Sequence, residues 1–316
     1  MADNNDPSWE RAVIEKLVLE TLTEQRRRRR WGIFFKLLAF LYLTVVLMAT
    51  VDWQTSSERL ADGKKHTALV QMTGVISAKS DASAEHVIDA LQAAFEDKGT
   101  AAVVLRINSP GGSPVQSAYV YEEIRRIKKE RPDLPIYAVI SDMCASGCYY
   151  IAAAADRIYV HPSSVVGSIG VIMNGFGFVE TMQRLGVERR LMTAGAHKAL
   201  LDPFSPVNEV EKQHLQGVID SVHSQFINAI KQGRGERLKE TPETFSGLVW
   251  NGEQAVTLGL ADAVGDARSV AQDVIKEKET VNFTPRERLI DRISHRLGTS
   301  LSASLQSAVG LDFKLR

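Results

Sequence analysis

Residues 101–114 read AAVVLRINSPGGSP. The first seven form a nearly unbroken apolar run with no alternation. That pattern predicts a strand covered on both faces. The run stops at NSPGG, and a helix with Glu, Arg and Lys on one side is expected over about 113–131. The flanks repeat the theme. Upstream lie a strand pattern at 68–76 and a helical periodicity at 83–97. Downstream come an apolar strand at 135–141, the alanine-rich CASGCYYIAAAA at 144–155, read as a helix, and DRIYVHP, read as a further strand. Strands and helices alternating at this spacing predict an α/β chain with a mainly parallel sheet. Sites in such sheets gather at the carboxyl ends of strands, where NSPGG and MCASG both fall. Later, 206–232 reads as a long amphipathic helix, and 246–275 as strand, helix, strand, helix.

The chain has 316 residues, with 38 Lys+Arg against 38 Asp+Glu, so bulk charge argues for no nucleic-acid partner. The charge is uneven, however. Arginines fill 26–30, and the next 21 residues, WGIFFKLLAFLYLTVVLMATV at 31–51, carry only Lys36. A bilayer core needs about 20 apolar helical residues, which predicts a transmembrane helix here. The arginine flank places the N-terminus in the cytoplasm and the remainder on the extracytoplasmic side. The expected organisation is a cytoplasmic segment 1–30, a transmembrane helix 31–51, a linker 52–66, a catalytic domain 67–279 and a basic amphipathic tail 280–316. The tail spaces Leu289, Ile293 and Leu297 at four-residue steps.

Ser146 stands in SDMCASGCYY, 141–150, at a strand-to-helix junction. Free amides and the positive end of a helix would there stabilise a nucleophile and an oxyanion. Serine is equally a favoured structural N-cap. Gly111 and Gly112 let the backbone turn its amides into a cleft, which makes them candidates for an oxyanion hole; a plain tight turn would look the same. For the base, His161 and His197 are available, with Asp142 or Asp156 to orient them, yet local spacing ties none of them to Ser146. A lysine also serves in Ser-Lys pairs. Its free pKa, about 10.4, must be lowered by burial or a nearby cation. Lys198, in the small and apolar TAGAHKALLDPF at 193–204 and read as just past a strand, is the candidate.

VVLRINSPGGSP, SDMCASGCYYIAAAADRIYVHPSSVVGSIGVIM and TAGAHKALLDPFSP together resemble the signal peptide peptidase A family of membrane-bound Ser/Lys peptidases. The resemblance covers most of residues 65–270. It implies a ClpP/crotonase-like fold of repeated β-β-α type units. It implies Ser146 as nucleophile, Lys198 as base, Ser168 of GSIG as the residue orienting the lysine, and Gly111 and Gly112 as the oxyanion hole. It implies no metal and no cofactor. Its substrates would be remnant signal peptides and other short apolar segments. A single serine motif and a single lysine motif match the short form of the family. In that form the resemblance implies a homo-oligomeric ring whose dyad is shared between neighbouring subunits, in a bacterial inner membrane.

One departure is Cys148, where the family commonly has glycine. Cys144 and Cys148 are the only cysteines. Placed four apart on a helix, they are expected to be free buried thiols, because a disulfide would strain helical geometry; a redox-labile pair and a metal pair are the alternatives. Two other functions are open: a ring-forming scaffold without activity, and a crotonase-like acyl-transfer enzyme that would not need Ser146.

Overall fold

A computed structural model describes residues 7–51 and 64–285. The chain divides into two compact units, Met1–Gly63 and Lys64–Arg316. In the first, a single helix, α1, runs Pro7–Val51. Residues 7–30 of the expected cytoplasmic segment and the expected span 31–51 are therefore parts of one continuous helix. Among the described residues no helix is long and apolar enough to cross a membrane. The arginines at 26–30 precede the apolar run, and Lys36 falls inside it. Residues 52–63 of the expected linker 52–66 and residues 286–316 of the expected tail 280–316, with Leu289, Ile293 and Leu297, lie outside the described residues.

The second unit is built on an eight-stranded sheet with helices. Its strands are β1 His66–Thr73, β2 Thr100–Ser109, β3 Ile136–Ala145, β4 Arg157–Val160, β5 Val165–Gly167, β6 Val249–Asn251, β7 Ala263–Val264 and β8 Thr280–Asn282. The order along the sheet is β6-β5-β3-β2-β1-β8, with β4 pairing β3 and β7. All pairings are parallel except β5 with β6. The helices are α2 Ala84–Glu96, α3 Pro114–Glu130, α4 Gly147–Ala152, α5 Val179–Leu185, α6 Glu209–Arg234 and α7 Gly252–Thr257.

Strand β2 shows why the sheet forms. Val103, Leu105 and Ile107 enter the main core beneath the helices, while Val104 packs with Val139, Tyr159 and Val270 in a smaller cluster. Successive strand side chains face opposite ways, so an unbroken apolar run has to be covered twice. Helix starts follow capping chemistry. Ser83 caps α2, Ser113 caps α3 with Pro114 in its first turn, and Asn208 caps α6 through Val210 and Glu211.

Strand β3 decides where the site lies. One edge pairs with β4 at Tyr137–Ile140 and then with β5 at Met143–Ala145. This second pairing draws the strand on to Ala145, well beyond the 135–141 predicted, and α4 keeps only Gly147–Ala152 of the predicted helix. At the far edge, β8 pairs with β1, so the sheet includes the start of what was read as the tail.

Helix α6 is tied down at its C-terminal end by buried charge. Arg234 is 1% exposed; its guanidinium donates to the Gly259 carbonyl at 2.8 Å and to both Asp262 oxygens at 2.8 and 3.0 Å. Asp262 also accepts from the Ile158 amide at the start of β4. Burial pushes the Asp262 carboxyl up, but Arg234, the Ile158 amide and Arg237 together hold it below its ordinary value.

Candidate active site

Ser146 occupies the single residue between β3 and α4 and takes φ 54° and ψ −126°. A non-glycine residue there is strained by about 1–3 kcal/mol and persists only where its surroundings over-determine it. They do so here. The Ser146 amide donates to the Gly167 carbonyl at 2.8 Å, and its carbonyl accepts from Tyr149 at 2.8 Å and Tyr150 at 3.1 Å. The hydroxyl makes no capping bond to α4. A structural N-cap would use its oxygen for the helix amides. Ser146 holds the cap position, and among the described residues its hydroxyl has no hydrogen-bond partner.

The hydroxyl borders a cleft of about 300 Å³. Gly112, Ser146 and Gly147 line it, and Val115, Tyr119, Tyr150, Ile172 and Phe226 give much of its apolar wall. Tyr150 stacks on Phe226 and meets Tyr121 edge-on, each at 5.1 Å between ring centroids, which joins α3, α4 and α6 behind the cleft. Burial, with Tyr121 and Glu122 nearby, pushes the Tyr150 phenol up, so it stays neutral.

The two candidate glycines differ in their hydrogen bonding. Gly111 donates its amide to Ser109 Oγ at 3.1 Å and its carbonyl accepts from Ile76, so its N–H is occupied. Its φ is +97°, and a Cβ there would lie 2.5 Å from the Ala145 carbonyl and 2.8 Å from Ser146 Cβ. Gly111 is thus the point where the loop after β2 touches the serine turn, and no side chain fits between. Gly112 bridges to Ile76 through its neighbours' hydrogen bonds. Among the described residues, neither the Gly112 amide nor the Gly147 amide has a hydrogen-bond acceptor. Both line the cleft with Ser146. Gly147 was not singled out from sequence, although its position directly after the serine, at the first turn of α4, is where a free helix amide falls.

Ser168 follows β5 and, like Ser146, has positive φ, 51°. Its amide donates to the Leu248 carbonyl at 2.7 Å. Since Gly167 pairs with Ala145 and holds the Ser146 amide, Ser168 stands one residue from the serine turn. Lys198 lies exposed in a turn closed by its own amide to Gly195 at 3.2 Å, with no strand before it, and it does not line the cleft. Neither histidine alternative lines it. His197 pairs with Glu211 at 2.9 Å, and His161 accepts from the Ser163 amide. Asp142 accepts from Asn108, and Asp156 pairs with Lys128 and holds the Ile136 amide. His161 and Asp142 line a larger cavity of about 590 Å³, together with Arg106 and Arg268. Ser146 is not part of its wall, so size alone does not locate the chemistry.

Cys144 and Cys148 form a disulfide. The expectation of two free thiols fails because Cys144 belongs to β3 and only Cys148 to α4. The chain turns sharply between them at Ser146, so the helical spacing that would have kept the sulfurs apart does not apply.

The description "peptidase family S49" matches residues 128–281. Over 241 residues the chain is 30% identical to a signal peptide peptidase SppA of Enterococcus faecium, covering 73% of this chain and 70% of that one. Over 217 residues it is 41% identical to the Na(+)/H(+) antiporter NhaA of Brucella abortus, covering 69% of this chain but only 29% of that protein. Among solved structures, a membrane-bound stomatin-specific protease in complex with a substrate peptide aligns with 73% of this chain and 99% of its own, at 14% identity and a TM-score of 0.42.

Proposed function

The chain belongs to peptidase family S49, whose members are serine proteases, and from that premise we propose that Ser146 is the nucleophile and Lys198 of a neighbouring copy its base. The single observation carrying this reading is Ser146 itself: a strained turn residue, its hydroxyl uncommitted, beside two unpaired amides in an apolar cleft. In the reaction, neutral Lys198 accepts the Ser146 proton as Oγ attacks the scissile carbonyl. The Gly112 and Gly147 amides hold the oxyanion, and Gly111 sets the spacing between them. The leaving amine takes the proton from Lys198, and water clears the acyl-enzyme by the same route. Ser168 hydrogen-bonds and orients the arriving lysine. No metal and no cofactor takes part.

The sharing of the dyad is favoured by Lys198 lying outside the cleft of its own chain. The segment that carries it is rich in uncovered apolar side chains, including Ile172 at 83%, Phe176 at 82% and Met192 at 95% exposure. A neighbouring copy in a ring would cover them and supply the burial that a lysine base needs. The fold is read as ClpP/crotonase-like. Substrates are unfolded apolar peptides, remnant signal peptides among them, matching the apolar wall of the cleft. Residues 31–51 are proposed as an anchor, with the N-terminus cytoplasmic and the catalytic unit extracytoplasmic.

The test uses the full chain in detergent and an unfolded apolar peptide. Ser146→Ala and Lys198→Ala are each expected to be inactive, and a mixture of the two chains to regain cleavage where an intact serine meets a neighbour's lysine. A Lys198→Ala chain that cuts at the wild-type rate removes the lysine from the mechanism. A mixture that stays inactive, with both variants assembled, places the dyad within one chain.

A further inference from the structure

The disulfide encloses the nucleophile. Its ring contains Cys144, Ala145, Ser146, Gly147 and Cys148, with Ser146 at the centre. Both sulfur-bearing residues are 0% exposed. One end is fixed by the sheet, since Cys144 pairs with Ser109 of β2 and with Val166 of β5. The other end is in α4, which has six residues. A helix that short does not hold itself by its own hydrogen bonds. Yet its first amide, Gly147 N–H, must point into the cleft, and Ser146 must keep its strained φ.

We propose that the Cys144–Cys148 disulfide is a positioning brace for the nucleophile turn, tying the end of β3 to the first turn of α4 so that Ser146 Oγ and the Gly147 amide stay aligned with the Gly112 amide. This rests on the reading of Ser146 as nucleophile. The sheet supplies a fixed end and the cross-link transmits it over the turn to a helix too short to define its own start. The glycine of the family pattern at position 148 could carry no such link. The brace makes acylation sensitive to redox state. A dithiol reductant closing to its own disulfide passes two electrons and two protons to the bridge and leaves two protein thiols. The freed turn then relaxes toward an ordinary backbone conformation, and attack slows while the apolar wall of the cleft still binds peptide.

The experiment compares the full chain as oxidised wild type, as wild type reduced with dithiothreitol, and as the Cys144→Ser, Cys148→Ser double variant. Thiols are counted by mass after alkylation in denaturant. The readouts are the rate of covalent labelling by a peptidyl phosphonate, kcat and KM for an unfolded apolar peptide, and Tm. Relaxing one strained residue is expected to slow labelling and lower kcat about 5–30-fold while KM stays within about twofold. Reductant is expected to have no further effect on the double variant. Should the serine pair fail to fold, Cys144→Ala with Cys148→Gly takes its place. If buried sulfurs resist the reductant, the variants alone decide. Equal labelling rates in bridged and unbridged protein overturn the brace, as do two free thiols in the native oxidised chain. A wild type that the phosphonate labels no better than Ser146→Ala overturns the nucleophile instead.

Discussion

Replacing Gly111 with alanine tests the geometry of the site most directly. The residue sits at φ +97°, where an L side chain costs about 1–2 kcal/mol. The new Cβ would fall 2.5 Å from the Ala145 carbonyl, 2.8 Å from Ser146 Cβ and 2.9 Å from the Gly147 amide nitrogen. Those are backbone or backbone-proximal atoms, so no flexible side chain can swing away. Ordinary contact begins at 3.4 Å, so the loop and the serine turn have to part by about 0.9 Å. Overpacking of this kind adds about 1–3 kcal/mol, for a total destabilisation of about 2–5 kcal/mol. The catalytic cost is separate. A displacement near 1 Å between reacting groups lowers rate about 100-fold. The assay is phosphonate labelling and peptide cleavage by the full chain at a temperature where circular dichroism shows the variant folded. Gly217→Ala serves as the control: its Cβ meets nothing within 4 Å on α6, so activity should be unchanged and stability slightly raised. A Gly111→Ala chain that labels at the wild-type rate would refute the close approach and the role drawn from it.

Two further predictions concern stability. Arg234→Met leaves the partly buried Asp262 without its bidentate partner, and urea unfolding should show a loss of about 3 kcal/mol, the low end for a broken buried pair because Asp262 keeps some exposure and Arg237 stays 3.3 Å from it. A loss below about 1 kcal/mol would mean that the pair contributes nothing that methionine packing cannot replace. The Asp262 carboxyl is held low in the fold, so its contribution is present above the unfolded carboxyl pKa, about 3.9, and is lost as pH falls through the folded value. Stability measured from pH 7 down to acid should therefore fall less steeply in Asp262→Asn than in wild type. Parallel pH profiles would remove Asp262 from the acid transition.

The alternation of apolar strands with helices was legible in the chain because it is local. AAVVLRI has to be a strand buried on both faces whatever surrounds it, and β2 is that strand. Ser146 and the two glycines stood out for the same reason, since a serine and a pair of glycines at strand ends are local features. What the glycines do was not local. Whether an amide is free depends on which acceptor comes near it, and Ser109 Oγ takes Gly111 while Gly147 is left open.

Register decided the rest. The pairing of Met143–Ala145 with β5 carries β3 three residues past Asp142, and that extension places Cys144 in a strand and Cys148 in a helix. Helical spacing read along the sequence kept their sulfurs apart, and the turn at Ser146 brings them together. Lys198 marks the same boundary from the other side. Its residue type and neighbours suggested a base, but a base is defined by what it reaches, and its own chain does not carry it into the cleft. By itself the sequence determined the sheet, the serine and the candidate partners, because periodicity and residue chemistry act over a few positions. The tertiary structure decided the free amides, the cross-linked turn and the absence of Lys198 from the lining of its own chain's cleft, because each depends on atoms distant along the chain.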